Sequence, residues 1–273
     1  MKTSVLVAFL ICTCAIRASA VEKTFYVDLE PYQNRKLDDN QGRGLNGNSL
    51  VELPRGEQTL ADIKFQIGPG LIQLGSQVLD TLPANMDGIK IKKQFSKLHI
   101  LQATCFGISN IGDGTEVGHY LVHYEDQSTE RIPIIYGENV YDWFCAQGAK
   151  EPSKAKVAWQ GENDFAKSRG CHLRLYASTW TNPKPDQRVM RIDFVGRKDQ
   201  TQAAPICLAM TAVQENDREA SADRTSKVDA KTRERLLKAA SAEARLRSAL
   251  GPPPRGWRRQ EFNGSVYYIV PLR

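Results

Sequence analysis

One stretch from Cys171 to Val213 decides the fold, and it reads CHLRLYASTW (171–180), TNPKPDQ (181–187), RVMRIDFVG (188–196), RKDQTQAA (197–204) and PICLAMTAV (205–213). In the second of its three apolar runs, Ile192 and Phe194 alternate with Arg191 and Asp193. Alternation with a period of two buries one face of a strand and leaves the other in water, which is typical of antiparallel sheets. The last run, from Ile206 onward, is apolar on both faces, as in a sandwich core. Three strands separated by two turn-rich connections are therefore predicted.

Short strand patterns separated by turn residues continue upstream of this stretch, without helical periodicity. Pro133 lies inside the apolar run 131–136, and proline cannot donate to a strand ladder, so this run is predicted to be an edge strand or to contain a bulge. Residues 33–50 are rich in Gly, Asn and Asp and are predicted to form a long surface loop over the sandwich. Many short strands with turns between them predict an all-β sandwich.

Several motifs resemble the galactose-binding-domain-like jelly-roll modules of secreted bacterial carbohydrate-active proteins. The motifs are W-x-N-P-x-P from Trp180, I-D-F at 192–194, A-P-I-x-L-A-M-T at 204–211, FYVDLEPYQNR at 25–35, ELPRGEQTLADIKFQI at 52–67 and IYGENVYDWF at 135–144. The resemblance covers residues 22–213 and implies an antiparallel jelly-roll β-sandwich. It implies carbohydrate binding as the activity class, but it supplies no set of sugar-contacting residues.

The first 20 residues have the pattern of a secretory signal peptide. Lys2 precedes an apolar segment from Val5 to Ala15, and Ala18-Ser19-Ala20 is a small-residue cleavage site. Removing 1–20 takes away two basic residues and no acid, which leaves a net charge of +4. The predicted location is secreted or periplasmic. No run of 18 apolar residues is present, so no membrane span is predicted.

Four cysteines remain after residue 20, namely Cys105, Cys145, Cys171 and Cys207. An even number in an exported chain permits disulfides, with three possible pairings. Cys145 and Cys171 flank the polar segment 146–170, and a Cys145–Cys171 bridge is the pairing we favour. Cys105 and Cys207 lie in apolar runs and fit buried thiols.

The composition changes at residue 215, where the predicted sandwich (21–214) ends. Residues 215–250 are mostly Ala, Glu, Asp, Lys and Arg, which predicts a charged helix at about 225–249. Gly251 and three prolines then end the helix. Within the tail 251–273, Asn263-Gly264 between two strand patterns predicts a short terminal hairpin. The helix is either a solvated surface element or a docking element for a partner.

A sugar site needs an exposed aromatic ring for the C–H face of the sugar and a few polar groups for its hydroxyls. Arg174, Tyr176 and Trp180 share one side of their predicted strand, and three further aromatic residues lie in the loop-rich segment 137–170. Alternatively, two of the tryptophans pack in corners of the sandwich, and Arg174 pairs with Asp193 across strands. The candidate carbohydrate-binding residues are Tyr141, Trp143, Trp159, Arg174, Tyr176 and Trp180.

Motifs of catalysis and metal binding are few. His119 and His123 are predicted on a strand, where four residues span roughly 13 Å, so they do not chelate one ion together. Asp38 and Asp39 offer oxygen ligands for a structural calcium ion, and a solvated turn is the alternative. No G-x-S-x-G, H-E-x-x-H or phosphate-binding glycine loop is present.

These observations predict a secreted, non-catalytic carbohydrate-binding module whose partner is a glycan or cell-surface polysaccharide. The first alternative is an extracytoplasmic protein–protein or cell-envelope structural module that uses helix 225–249 and the tail. The second alternative is a small carbohydrate-active enzyme. Nucleic acid is not the predicted partner, because the basic residues of 215–249 alternate with acids and form no stripe.

Overall fold

The computed structural model describes residues 23–41, 44–107 and 111–214, together with the backbone of residues 258–262 and 265–269. The chain divides into two compact units, Met1–Asn216 and Asp217–Arg273. The predicted signal peptide (1–20) and helix (225–249) lie outside the described residues. No helix in the described ranges is long and apolar enough to cross a membrane.

The described chain is mostly β-structure, as the period-two patterns predict. The strands are β1 (Lys23–Tyr26), β2 (Arg35–Lys36), β3 (Gly56–Leu60), β4 (Ile63–Ile67), β5 (Gly70–Gln73), β6 (Asn85–Lys93), β7 (Lys97–Cys105), β8 (Glu116–Tyr124), β9 (Thr129–Ile135), β10 (Phe144–Ala146), β11 (Ala155–Gly161), β12 (Cys171–Thr181), β13 (Val189–Gly196), β14 (Ala204–Gln214), β15 (Arg258–Phe262) and β16 (Ser265–Ile269). A short 3-10 turn (Glu30–Tyr32) follows β1, and a one-turn helix, α1 (Asp164–Lys167), follows β11.

Two antiparallel sheets form the body of the first unit. The larger sheet has eight strands in the order β10-β12-β7-β14-β5-β2, with β1 paired to β14 and β11 paired to β12. The smaller sheet has the order β6-β13-β8-β9. The predicted antiparallel arrangement is therefore confirmed, and it is compatible with a β-sandwich. Strand β9 contains Pro133 and lies at the edge of its sheet, as predicted.

The core between the sheets is built from the inward residues of β8 and β13 on one side and of β7, β12 and β14 on the other. Tyr120 and Phe194 stack with their ring centroids 4.7 Å apart, and both are fully buried. Across the layer, the Tyr120 hydroxyl donates to Gln102 Oε1 of β7 at 2.9 Å. Burying a side chain as large as Phe stabilises a fold by about 1.5–3 kcal/mol.

The second face of the larger sheet is covered as well, and segment 33–50, predicted to be a long surface loop over the sandwich, contributes to this cover. Leu37 and Leu50 of this segment are buried, and so are Phe65 and Ile67 of the β3–β4 hairpin. The hairpin is attached to β14 through the Thr211 hydroxyl, which donates to the Lys64 carbonyl at 2.7 Å. The average composition of the segment is polar, and its buried leucines are the residues that pack into the core.

The second unit is described only by one hairpin. Strands β15 and β16 pair antiparallel with Phe262 opposite Ser265. This pairing confirms a hairpin at the predicted position. The turn residues, 263 and 264, lie outside the described residues.

Candidate functional site

A cleft opens between the two sheets where β12 ends and where the edge strand β9 runs. Its volume is about 180 Å³. Its apolar walls come from Ile100 of β7 and from Ile132 and Ile134 of β9, and Trp180 lies at its mouth. We call this site the interlayer cleft. Its position follows from the alternation along β12, because Ser178 and Trp180 lie on the face of the larger sheet that is directed at the smaller sheet.

The floor of the interlayer cleft is a chain of hydrogen bonds between buried polar groups. Tyr120 donates to Gln102 Oε1, and Gln102 Nε2 donates to the Ser178 hydroxyl oxygen at 2.9 Å. Burial raises the pKa of Tyr120 well above its usual range, so the phenol stays protonated and remains a donor. A satisfied polar network in a core holds its members in fixed positions, which suits a binding floor.

The rim of the interlayer cleft is charged and fixed by backbone hydrogen bonds. Lys154 Nζ and Glu138 Oε2 form an ion pair at 2.6 Å, and the Lys154 amide donates to the Glu138 carbonyl at 2.7 Å. Asn139 Oδ1 accepts from the Ile135 amide at 2.9 Å. Gly137 has φ +84°, and a Cβ there would lie 2.8 Å from the Asp113 carboxyl, so the rim turn requires glycine.

Trp180 is the one predicted sugar-binding residue that lines the interlayer cleft. Its indole is half-buried and meets the ring of Phe95 edge-to-face, with centroids 6.5 Å apart. The neighbouring Thr179 hydroxyl lies 2.8 Å from His99 Nδ1. The contact with Phe95 holds the indole at the end of its strand while part of the side chain stays accessible.

Trp143 and Tyr176 are in the core, which corrects their assignment to a sugar site. Trp143 is 3% exposed, and Tyr176 is fully buried with its hydroxyl donating to the Asp142 carbonyl at 3.2 Å. Neither ring has a face to offer a ligand. For Trp143, the alternative of a packing residue within its motif is the one that the structure supports.

The other three predicted residues lie away from the interlayer cleft. Trp159 is opposite Leu175 in the β11–β12 ladder, so it projects from the other face of the larger sheet, where its ring covers Gly161. Tyr141 packs edge-to-face on Tyr136, with centroids 4.9 Å apart.

Arg174 does not pair with Asp193. It donates instead to Gln160 Oε1 at 3.2 Å and to the Ala149 carbonyl at 2.9 Å.

The predicted Cys145–Cys171 disulfide is wrong. All four cysteines of the described chain are free thiols. In the β10–β12 ladder, Cys145 is opposite His172 and Cys171 is opposite Ala146. The offset of one residue directs the two side chains to opposite faces of the sheet, and bridging them would require a shift of register.

The predicted calcium ligands take part in local contacts. Asp39 Oδ2 accepts from the Lys36 amide at 2.8 Å, and Asp38 lies 3.7 Å from Arg55. Within the described ranges, no three His, Cys, Asp or Glu side chains converge as they would around a metal ion. Calcium at this turn stays a prediction.

A wider depression of about 640 Å³ lies beside Arg35 and the turn 77–81. Its described lining contains no aromatic side chain. The interlayer cleft combines an aromatic ring with several polar groups and is therefore the better candidate for a ligand site.

Three histidines make stability dependent on pH. Burial lowers the pKa of His99, His119 and His172, and the nearby charges of Lys97, Arg131 and Arg174, respectively, lower it further. His172 Nε2 is buried and has no hydrogen-bond partner among the described atoms. The folded protein therefore binds these protons less readily than the unfolded chain.

We expect the melting temperature to fall by a few degrees as the pH decreases from 7.5 to 5.5. When folding lowers the pKa of a histidine, it stabilises the protein at pH values above 6.5, the pKa in the unfolded chain. That stability is lost as the pH falls through the lower pKa of the folded protein. This range stays above 4.5, the ordinary value of a Glu carboxyl, so Glu116 does not contribute to the change. Calorimetric melts across the range measure it, and His172→Gln is expected to flatten the dependence. A melting temperature that rises toward pH 5.5 would contradict the assignment.

Comparison with known proteins gives no relative: no family model, no curated protein and no solved structure matches the chain. The function is therefore inferred from the site itself.

The residues that the sequence interpretation missed are Gln102, Tyr120, Ser178, Glu138 and Lys154. One signal was present, since Gln102 is the one amide in the mostly apolar run 97–106, which has a strand pattern. A polar residue in such a run must find a partner, and that partner here belongs to the floor of the interlayer cleft.

Proposed function

We propose that this protein is a secreted, non-catalytic carbohydrate-binding module of the jelly-roll, galactose-binding-like type, and that the interlayer cleft holds the sugar. The observation that supports the proposal most directly is the placement of Trp180 at the mouth of a cleft with a polar floor. An indole offers an apolar face to the C–H side of a sugar ring, and amide, hydroxyl and charged groups pair with its hydroxyls. The interlayer cleft supplies these groups through Gln102, Ser178 and the Glu138–Lys154 pair.

The size of the interlayer cleft favours a short portion of a glycan. Its 180 Å³ lies below the roughly 300–1,000 Å³ typical of drug-sized ligands. One sugar ring, with the rest of the chain outside the mouth, is the ligand we expect.

The carboxylates that line the interlayer cleft favour a binding function over a hydrolytic one. Glycosidases generally use two carboxyl groups about 5–10 Å apart. Glu138 is the one carboxylate in the described lining, and it is already paired with Lys154. The small enzyme stays an alternative. The structural module would dock through helix 225–249, which lies outside the described residues, and through the tail, of which the structure describes the backbone of 258–262 and 265–269.

Replacing Trp180 by Ala is expected to weaken glycan binding by roughly tenfold or more. Burying a large apolar side chain contributes about 1.5–3 kcal/mol, and the variant loses this contribution. The measurement is binding of the full chain to a broad panel of immobilised neutral and acidic glycans, with calcium present. Trp159→Ala is the matched control, since its indole lies on the other face of the larger sheet and its loss should leave affinity unchanged.

Two results would count against the proposal. If Trp159→Ala abolished binding and Trp180→Ala did not, the site would lie outside the interlayer cleft. If the folded protein bound nothing in the panel, carbohydrate binding itself would be rejected.

A further inference from the structure

The outer face of the smaller sheet is a cationic surface. Because side chains alternate along a strand, the residues between the buried Tyr120, Val122, Ile192 and Phe194 project away from the core. We define the cationic face by the side chains that meet there, which are Lys90, Glu116, His119, His123, Arg131, Arg191, Asp193 and Arg197.

The first cluster on the cationic face surrounds Glu116. Arg131 and Arg197 both bind its Oε1 atom, Arg197 through Nε at 2.8 Å, and His119 Nδ1 lies 3.8 Å from the same atom. Burial alone would raise the pKa of Glu116, but hydrogen bonds from the two arginines outweigh it and lower the pKa. One carboxylate is therefore shared by two guanidinium groups, and the cluster keeps a net positive charge.

The second cluster on the cationic face surrounds Asp193. Its Oδ2 atom lies 2.6 Å from His123 Nε2. Its Oδ1 atom accepts a hydrogen bond from the Gly88 amide at 2.7 Å and lies 3.6 Å from Arg191 Nε. Lys90 is opposite Arg191 in the β6–β13 ladder and has no ion pair among the described residues. This cluster also has more cations than acids.

The excess of positive charge is accessible to a ligand. The side chains of Arg131, Arg191 and Arg197 are 41%, 51% and 32% exposed. A guanidinium group has five N–H donors, so one shared carboxylate leaves donors of each arginine for an external anion. The histidines of the two clusters, His119 and His123, are four residues apart on β8, which is roughly 13 Å along a strand.

We propose that the cationic face binds an anionic polysaccharide, one whose repeating units carry carboxylate or sulfate groups. Arginine pairs well with either group through two parallel hydrogen bonds. Two clusters separated by roughly 13 Å along one strand fit a polymer that repeats its charges better than a single small anion. The described residues of this face include no aromatic ring, whereas binding of single-stranded nucleic acid relies on stacking its bases on aromatic side chains.

This site is separate from the interlayer cleft, because the two lie on opposite faces of the smaller sheet. The cationic face binds charge, and the interlayer cleft binds a sugar ring beside Trp180. Each site can thus be removed without removing the other.

The test is the affinity of the full chain for a polyuronate and for a sulfated polysaccharide, measured over a range of salt concentrations. We expect the double variant Lys90→Gln with Arg191→Gln to bind roughly tenfold more weakly at low salt and to show a shallower salt dependence. Asp193 keeps His123 and the Gly88 amide in this variant, so the fold is retained. The matched control is Lys64→Gln with Lys156→Gln, which removes the same charge from exposed side chains elsewhere.

Four results would overturn the proposal. The first is an equal loss in the Lys64 and Lys156 control, which would show that only net charge matters. The second is loss of polyanion binding in Trp180→Ala, which would place the anion in the interlayer cleft. The third is the absence of salt-sensitive binding to both polymers, and the fourth is equal binding to single-stranded DNA. Arg131→Gln with Arg197→Gln is expected to reproduce the weakening, and it should leave binding of neutral glycans at the interlayer cleft unchanged.

Discussion

Replacing Trp143 by Ala is expected to lower the free energy of unfolding by about 3–5 kcal/mol. The indole is buried against Gln41, Leu50, Leu71, Cys105 and Ile206, so its removal leaves a cavity that the surrounding chain fills only in part. For a unit of this size the melting temperature should fall by roughly 6–20 °C. Thermal and denaturant unfolding measure the effect.

The control for this change is Val51→Ala, because Val51 is 60% exposed and its truncation should leave the stability nearly unchanged. If Trp143→Ala instead reduced glycan binding without changing the melting temperature, the residue would be a ligand contact and its place in the core would be wrong. The variant thus distinguishes a packing role for Trp143 from a role in binding the ligand.

Replacing Asp142 by Ala is expected to destabilise the protein by about 2–5 kcal/mol, because each buried donor left unsatisfied costs about 1–3 kcal/mol. The Asp142 carboxylate is 4% exposed and accepts from the Gly107 amide at 2.6 Å and from the Phe144 amide at 2.9 Å. These contacts attach the segment before β10 to the end of β7. Chemical denaturation curves, compared at equal slope, give the change in free energy.

Asp199→Ala is the control for this second change. Asp199 is exposed, and it accepts a hydrogen bond from Gln77 Nε2 through its backbone carbonyl, which the substitution leaves in place. Asp142→Asn should lie between the two, because the amide retains one oxygen that can accept from one of the two donors. An Asp142→Ala protein as stable as the Asp199→Ala protein would show that the buried carboxylate does not hold this segment.

Much of the sheet structure could be predicted from period-two alternation. The runs around Ile192 and Ile206 form β13 and β14, and the proline in β9 marks the edge that it was predicted to mark. These predictions succeed because alternation, a continuous apolar run and a proline are each properties of a single strand. The burial of Leu37 and Leu50 against the larger sheet depends on contacts far apart in the chain, and the polar composition of that segment did not indicate which of its residues would be buried.

The candidate site was predicted only in part, for a related reason. Trp143 and Trp180 lie in similar aromatic motifs, and the sequence offered both a packing and a binding interpretation for each. Gln41 and Leu50 lie against the first, while the second lies at an open end of its strand. The disulfide prediction failed because spacing along the chain does not reveal strand register, and one residue of offset separates Cys145 from Cys171.

The place of β14 in the larger sheet has a consequence for how the protein is made. It is the last strand of the first unit, yet it lies between β7 and β5 and also pairs with β1 near the other end of that unit. The sheet therefore closes only after residue 214 has been synthesised, and until then β5 and β7 lack their shared neighbour. Such non-local pairing is typical of domains that fold in milliseconds to seconds. Incomplete chains expose strand edges that associate with one another, so the nascent protein should depend on chaperones until its final strand emerges.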